Sequence, residues 1–238
     1  RSYWRRAIRP KTGYLAPRTP GSGTLQFIES CTEGSGYVQG GPRSTIPSNR
    51  YGRMMRSLTK RHGDNLYPAL FRAQFGSHEM SLDVPAGVWN PTPHGVHLGN
   101  VLAEVDFSGE HVLEIGTGCG VHALLLAWQG AARLTLTEIE AALLETVRHN
   151  FAKHKVDTPT EYVVADWVHI ECGPFDTVVT NPPFAKSGKR YRRYFIDTLI
   201  LDAHKLLKPG GRLIFVQSSM ADVPRSIRMM EECGMTVG

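Results

Sequence analysis

A doubly wound α/β fold with a mostly parallel sheet is predicted by three observations. From about residue 111 onward, short apolar runs alternate with longer amphipathic stretches, which is strand–helix repetition. The run ending at Ile115 breaks into Gly116-Thr117-Gly118-Cys119-Gly120 and then at once into the apolar helical pattern Val121–Gln129, the order of a buried strand, a tight turn and a helix. Later runs end on polar residues, Glu138, Asp166 and Asn181, and a parallel sheet gathers such residues along its carboxyl edge, where open α/β sheets bind ligands.

The elements follow in order. Residues 1–48 are rich in Gly, Pro, Ser and Thr and lack sustained periodicity, so they are expected to be disordered or draped over the domain. Residues 49–76 carry Arg50, Arg53, Arg56, Lys60 and Arg61 at helical spacings, which predicts one or two short helices. Residues 82–99 form a turn-rich approach, with a helix over 98–105. Strands are then expected over 111–116, 133–139, 161–166, 175–181 and 212–218. The helices between them span 119–129, 140–153 and 191–207, with a last one over 222–233. Leu143, Leu144 and Val147 mark the inner face of the second of these. Lys208-Pro209-Gly210-Gly211 and Gly234 are stop signals.

Composition bounds the function. The chain has 238 residues, of which 41% are hydrophobic and 21% charged, as expected for a soluble globular protein of one large or two small domains. Its longest apolar stretches, such as Ala123–Trp128 and Leu213–Val216, are too short to span a bilayer. No signal peptide is recognised. The four cysteines show no CxxC pairing, which argues against a zinc site or disulfide framework and fits a reducing, cytoplasmic setting. The ten histidines are scattered and suggest no metal cage. Residues 1–80 hold 13 Lys/Arg against 4 Asp/Glu, and the rest 14 against 18. The reading is therefore a basic Gly/Pro-rich extension (1–80), serving as lid or substrate platform, on a mildly acidic domain (81–238). The extension suits a polyanionic partner or, equally, a solvated arm.

The polar strand ends suggest chemistry. Gly116, Gly118 and Gly120 let the backbone bend and let a ligand approach closely, and the helix N-terminus beyond them offers unpaired N–H groups. Glu138 closes the second strand, where a carboxylate can accept both hydroxyls of a ribose; the alternative is an ordinary exposed glutamate. Asp166 closes the third strand. It can accept an exocyclic amine with Trp167 covering the ring, or simply cap a turn. The fourth strand ends in Asn181-Pro182-Pro183-Phe184. Its prolines remove backbone donors, leaving the Asn181 side-chain oxygen and the Pro182 carbonyl as acceptors beside the flat face of Phe184. That is a receptor for a planar NH₂ group.

Glu114-Ile-Gly-Thr-Gly-Cys-Gly120, Glu138, Asp166 and Asn181–Phe184, in this order, resemble the class I S-adenosylmethionine-dependent methyltransferases. Within them they resemble the small-domain N-methyltransferases with an (Asp/Asn/Ser)-Pro-Pro-(Tyr/Phe) motif, which include protein-glutamine, rRNA guanine-N2 and tRNA adenine-N6 enzymes. The resemblance covers roughly residues 84–237. It implies that Gly116, Thr117 and Gly118 pass under the methionine part of S-adenosylmethionine, with Glu114 orienting its amino group. It implies that Glu138 holds the ribose, that Ile139 lies beneath the adenine, and that Asp166 and Trp167 stand at the adenine edge. Asn181, Pro182 and Phe184 would bind the acceptor nitrogen. The stretch 88–92, ending at Thr92, is similar to the one that lines the methionine end in the glutamine enzymes, but Pro93-His94 replaces the acidic pair expected next. His94 and His97 could reach the acceptor or serve packing and loop structure, and the second reading is favoured. The family's terminal antiparallel hairpin is missing beyond Gly238, so it is expected to be truncated or its place on the sheet edge taken, for instance, by the N-terminal segment.

The implied reaction is N-methylation of a planar amide or exocyclic amine, in RNA or a translation protein, with a small-molecule acceptor of secondary metabolism as the alternative. Lys186–Arg193, with five basic residues and two tyrosines in 186–194, would border the acceptor mouth and favour phosphate, or form a solvated basic face. The rivals are a dinucleotide-dependent oxidoreductase and an RNA-binding module without turnover.

Overall fold

The computed structural model describes residues 68–86, 88–182, 193–219 and 221–238, together with the backbone of 24–30. The elements in chain order are β1 (Thr24–Ser30), β2 (Ala69–Phe75), β3 (His78–Val84), α1 (Pro93–Leu102), β4 (His111–Ile115), α2 (Val121–Trp128), β5 (Arg133–Glu138), α3 (Ala141–Lys153), β6 (Thr160–Val164), β7 (Phe175–Thr180), α4 (Tyr194–Leu206), β8 (Leu207–Ser218), α5 (Val223–Glu232) and β9 (Thr236–Val237). A seven-stranded sheet runs β6-β5-β4-β7-β8-β1-β9, and its strand pairs are parallel. Strands β2 and β3 pair as a separate antiparallel hairpin.

The central strands are apolar on both faces because helices cover both. Alternate residues go to opposite sides. Val112, Val179, Ile214 and Val216 join one core with side chains of α1, α2, α3 and the hairpin. Leu113, Ile115, Val178, Leu213 and Phe215 join a second core with α4 and α5. Each fully buried side chain of this size contributes about 1.5–3 kcal/mol. In α3, Leu144, Val147 and Phe151 are buried at spacings of three and four, and Leu143 packs beside them half-buried. Asp222 caps α5 by accepting from the Arg225 N–H at 3.2 Å, and Gly234, at φ +77°, follows its end.

Four expectations change. Helices were expected over 49–76; residues 69–75 instead form β2, and residues 49–67 lie outside the described residues. The reason is a period of two: Leu70, Arg72 and Gln74 face out while Ala69, Phe71 and Ala73 are half-buried and Phe75 is fully buried. The expected division between residues 80 and 81 falls inside β3, whose Met80, Leu82 and Val84 enter the first core. Lys208–Gly211 is not a loop between helix and strand. Strand β8 begins at Leu207, paired with Phe175, and pairing resumes at Arg212 opposite Thr177. The turn residues bulge out within the strand, with Gly210 at φ +80°. The outer part of the sheet is built by the N-terminal segment: β1 pairs with β8 over its whole length and carries β9 on its other side. Residues 24–30 are therefore sheet, not a draped arm.

The hairpin is fastened to the sheet domain by one buried amide. Asn150 of α3 is fully buried. Its Oδ1 accepts from the Asp83 N–H at 2.9 Å, and its Nδ2 donates to the carbonyls of Asp83 at 3.0 Å and Cys119 at 2.9 Å. At the surface, His149 and Lys153 bond the Asp83 carboxylate and hold its pKa below the usual range. Among the described residues no helix is long and apolar enough to cross a membrane. Asn150→Ala strands three backbone groups at once. We expect it to lower unfolding free energy in urea by about 2–4 kcal/mol, whereas Lys153→Ala, at a part-exposed pair, should change it by less than about 1 kcal/mol.

Candidate active site

The site lies at the carboxyl edge of the sheet and starts with the loop after β4. The amides of Gly116 and Thr117 both donate to the Thr137 carbonyl, at 3.0 and 3.1 Å, and Gly120 N donates to the Thr117 carbonyl at 2.9 Å. These bonds require left-handed turns, and Gly116, Gly118 and Gly120 take φ of +71°, +56° and +90°. The three glycines do different things. A Cβ on Gly116 or Gly118 would have no atom within 4 Å, so the loop's outer face is open, whereas one on Gly120 would come within 3.0 Å of Val147. Gly120 therefore permits α2 and α3 to approach, and the other two leave room for a ligand.

Beneath the loop sits Glu114, only 1% exposed. Its Oε2 accepts from Thr117 Oγ1 at 2.7 Å, and its Oε1 lies 3.2 Å from His122 Nδ1. The other ring nitrogen of His122 is 2.9 Å from the Gly95 carbonyl, in the first turn of α1. Both Glu114 oxygens are thus engaged inside the protein, and each retains a lone pair for a further donor. Cys119 is buried, and burial with the nearby Glu114 charge pushes its thiol up to about 12, so it has no thiolate chemistry at neutral pH.

At the end of β5, Glu138 Oε2 accepts from Gly118 N at 3.1 Å and Oε1 from Ile139 N at 2.9 Å. Burial pushes its carboxyl pKa up, and these two N–H groups oppose the rise. Glu138 and Ile139 therefore border the open face of the glycine loop. Asp166 lies just past β6 and is exposed, its carbonyl accepting from His169 N at 3.1 Å. Trp167 differs from the expectation. Its indole is buried in the second core, edge-on to Phe195 with centroids 5.0 Å apart, and its N–H donates to Thr198 at 2.9 Å. Its ring is committed to α4 rather than displayed at the strand end. Thr92 is the N-cap of α1, its Oγ1 accepting from Gly95 N at 3.3 Å.

Next along the edge, β7 delivers Asn181 and the buried Pro182. The Asn181 Oδ1 is buried without a hydrogen-bond partner among the described residues, and its amide nitrogen lies 3.0 Å from where a Cβ on Gly95 would stand. Phe184 and residues 186–192 lie outside the described residues. Arg193 does not belong to an exposed basic face. It is 8% exposed and donates to Asp197, to the Asp222 carbonyl at 3.1 Å and to Ser226 at 3.0 Å. Ser226 in turn donates to Gln217 at 2.9 Å. His122 was not singled out from the sequence. The available signal was a single imidazole within the apolar run Val121–Trp128.

A parallel sheet with a glycine turn after its first buried strand, acidic residues at the next strand ends and an Asn-Pro beyond them defines a Rossmann-like methyltransferase domain. The methyltransferase small domain family matches residues 98–236, more than half of the chain, and the chain belongs to that family. The tRNA1(Val) (adenine(37)-N6)-methyltransferase of Phocaeicola vulgatus is 33% identical over 125 residues, covering 50% of this chain and 53% of its own. The release factor glutamine methyltransferase of Chlorobaculum tepidum is 30% identical over 129 residues, covering 44% of each. The fold is shared with the T. thermophilus 16S rRNA N2 G1207 methyltransferase, solved with AdoMet and guanosine, at a TM-score of 0.56 and 23% identity, over 70% of this chain and 45% of that one. The chain spans about half the length of these three proteins.

Because Arg193 is a buried structural cation, Arg193→Ala should lower unfolding free energy by about 3 kcal/mol in urea titration. A loss below about 1 kcal/mol would return it to the exposed basic face expected from the sequence.

Proposed function

We propose that this chain transfers a methyl group from S-adenosylmethionine to a planar nitrogen of a macromolecule, with an RNA base amine as the leading acceptor. The observation that carries the reading is the buried Asn181 Oδ1, without a partner among the described residues, at the end of the strand adjoining β4 and so beside the glycine loop. A desolvated acceptor left unpaired is costly, and a ligand N–H would satisfy it. The two relatives compared by sequence are named for an adenine N6 and a glutamine side chain. Both acceptors are NH₂ groups conjugated to an sp² carbon, the shape that Asn181 suits. The basic excess of residues 1–80 favours a polyanion over a neutral protein surface.

The residues fit the cofactor. The open faces of Gly116 and Gly118 accept a ligand's backbone-like part, and Glu138 on their rim offers carboxylate oxygens to a ribose diol. Asp166, exposed just past β6, would meet the adenine edge. Bound there, S-adenosylmethionine would supply a methyl group already activated by its sulfonium. The protein's share is then positioning and charge. Asn181 Oδ1 and the Pro182 carbonyl accept the two N–H bonds of the acceptor, align its lone pair, and stabilise the positive charge that develops as the nitrogen becomes tetrahedral. The released proton passes to solvent.

Asn181→Ala should cut labelled-methyl transfer to RNA by about 10²-fold or more, while S-adenosylhomocysteine affinity in calorimetry changes less than about twofold. Equal losses in both would remove Asn181 from the acceptor site. Glu138 supplies a pH test. The ionised carboxylate accepts the ribose hydroxyls, and burial raises its pKa. S-adenosylhomocysteine affinity should therefore fall as pH is lowered, beginning above the ordinary glutamate range. Glu138→Gln should bind about tenfold more weakly, or ~1.4 kcal/mol, with a flat profile through that range.

A further inference from the structure

We infer that His122 is a positioning residue: it ties the floor of the glycine loop to the first turn of α1, so that the seating of Gly95 against Asn181 depends on Glu114. The inference rests on the reading of the loop as the donor seat and Asn181 as the acceptor seat, and it supplies the link between them.

The geometry is a continuous chain of buried contacts. Glu114 bonds the loop through Thr117 at 2.7 Å and the His122 Nδ1 at 3.2 Å. The His122 Nε2 reaches the Gly95 carbonyl at 2.9 Å. Gly95 has no side chain, and a Cβ there would stand 3.0 Å from the Asn181 amide and 3.8 Å from the His122 ring. Two acceptors flank the ring. The ring and the Glu114 carboxyl therefore hold two protons between them, one on Nε2 toward Gly95 and one between Nδ1 and Oε1. An apolar side chain in place of His122 would leave a buried carbonyl and a buried carboxylate oxygen each short of a partner. The first turn of α1 would then lose this tie while keeping its bonds from Gly95 N to Thr92 Oγ1 and from Val96 N to the Thr92 carbonyl.

The two nitrogens can be separated by substitution. The asparagine amide nitrogen falls near the place of Nδ1 and the glutamine amide nitrogen near that of Nε2. His122→Asn should keep the donor to Glu114 and lose the tie to Gly95. His122→Gln should do the reverse, and His122→Phe should lose both. Hydrogen exchange of the amides of residues 95–98, referred to each variant's global stability in urea, reads the tie directly. We expect the Phe and Asn variants to exchange at least about tenfold faster than wild type at those amides and the Gln variant to stay within about threefold. Adding S-adenosylhomocysteine should slow these amides in wild type but not in the Phe variant. First-turn exchange in the Phe variant equal to wild type after that correction would overturn the inference, as would a Gln variant as fast as the Phe variant. If wild type fails to bind S-adenosylhomocysteine, the functional reading falls, while the exchange comparison without ligand still decides whether His122 holds α1.

Discussion

The burial of the Glu114 carboxylate at the end of β4 constrains everything above it. A charge taken almost wholly out of water must be met by donors. Here they come from Thr117 in the glycine loop and His122 in α2. The loop cannot drift outward without breaking the first bond, and α2 cannot rotate without breaking the second. The left-handed turns at Gly116, Gly118 and Gly120 let the chain meet this demand in five residues. Asn150 does comparable work for the periphery, joining the hairpin to the Cys119 carbonyl inside the same loop. The loop is therefore held from below and from the side, and its open face is the part left for a ligand.

The parallel sheet then assigns positions along its carboxyl edge. Neighbouring strands β6, β5, β4 and β7 bring Asp166, Glu138, the glycine loop and Asn181 to that edge in a row. A cofactor lying along the row would have its adenine at one end and its reacting group toward Asn181. Alternation places Asn181 on the face it shares with Val179, beside Gly95 of α1. On the other face, Arg193 and Ser226 anchor α4, α5 and β8 to one another. One face is thus arranged around the site and the other around structural polar contacts.

Much of this was legible in the sequence, for physical reasons. Strand and helix placement from β4 onward follows apolar period, and the glycine loop, Glu138 and Asn181 follow from strand ends that must share one edge. Other features were not legible, because they depend on contacts between distant segments. Residues 69–75 follow a stretch whose basic residues have helical spacing and hold only Arg72 as a charge of their own, and it is pairing with His78–Val84 that makes them a strand. Trp167 adjoins the edge in sequence, yet Phe195 and Thr198 draw its ring into the core. Arg193 ends a run of basic residues, but its partners come from α4 and α5. His122 gains its meaning only from Gly95, 27 residues earlier. The place of β1 between β8 and β9 likewise joins the two ends of the sequence.

One sheet edge, in this reading, would hold a methyl donor and present a planar nitrogen of a macromolecule to it. The most direct measurement is transfer of labelled methyl from S-adenosylmethionine into separated pools of RNA, protein and small molecules incubated with the purified chain. Label is expected in a macromolecular pool, with the RNA pool ahead of protein. Label confined to small molecules, or stabilisation of the chain by NAD and not by S-adenosylhomocysteine, would contradict it.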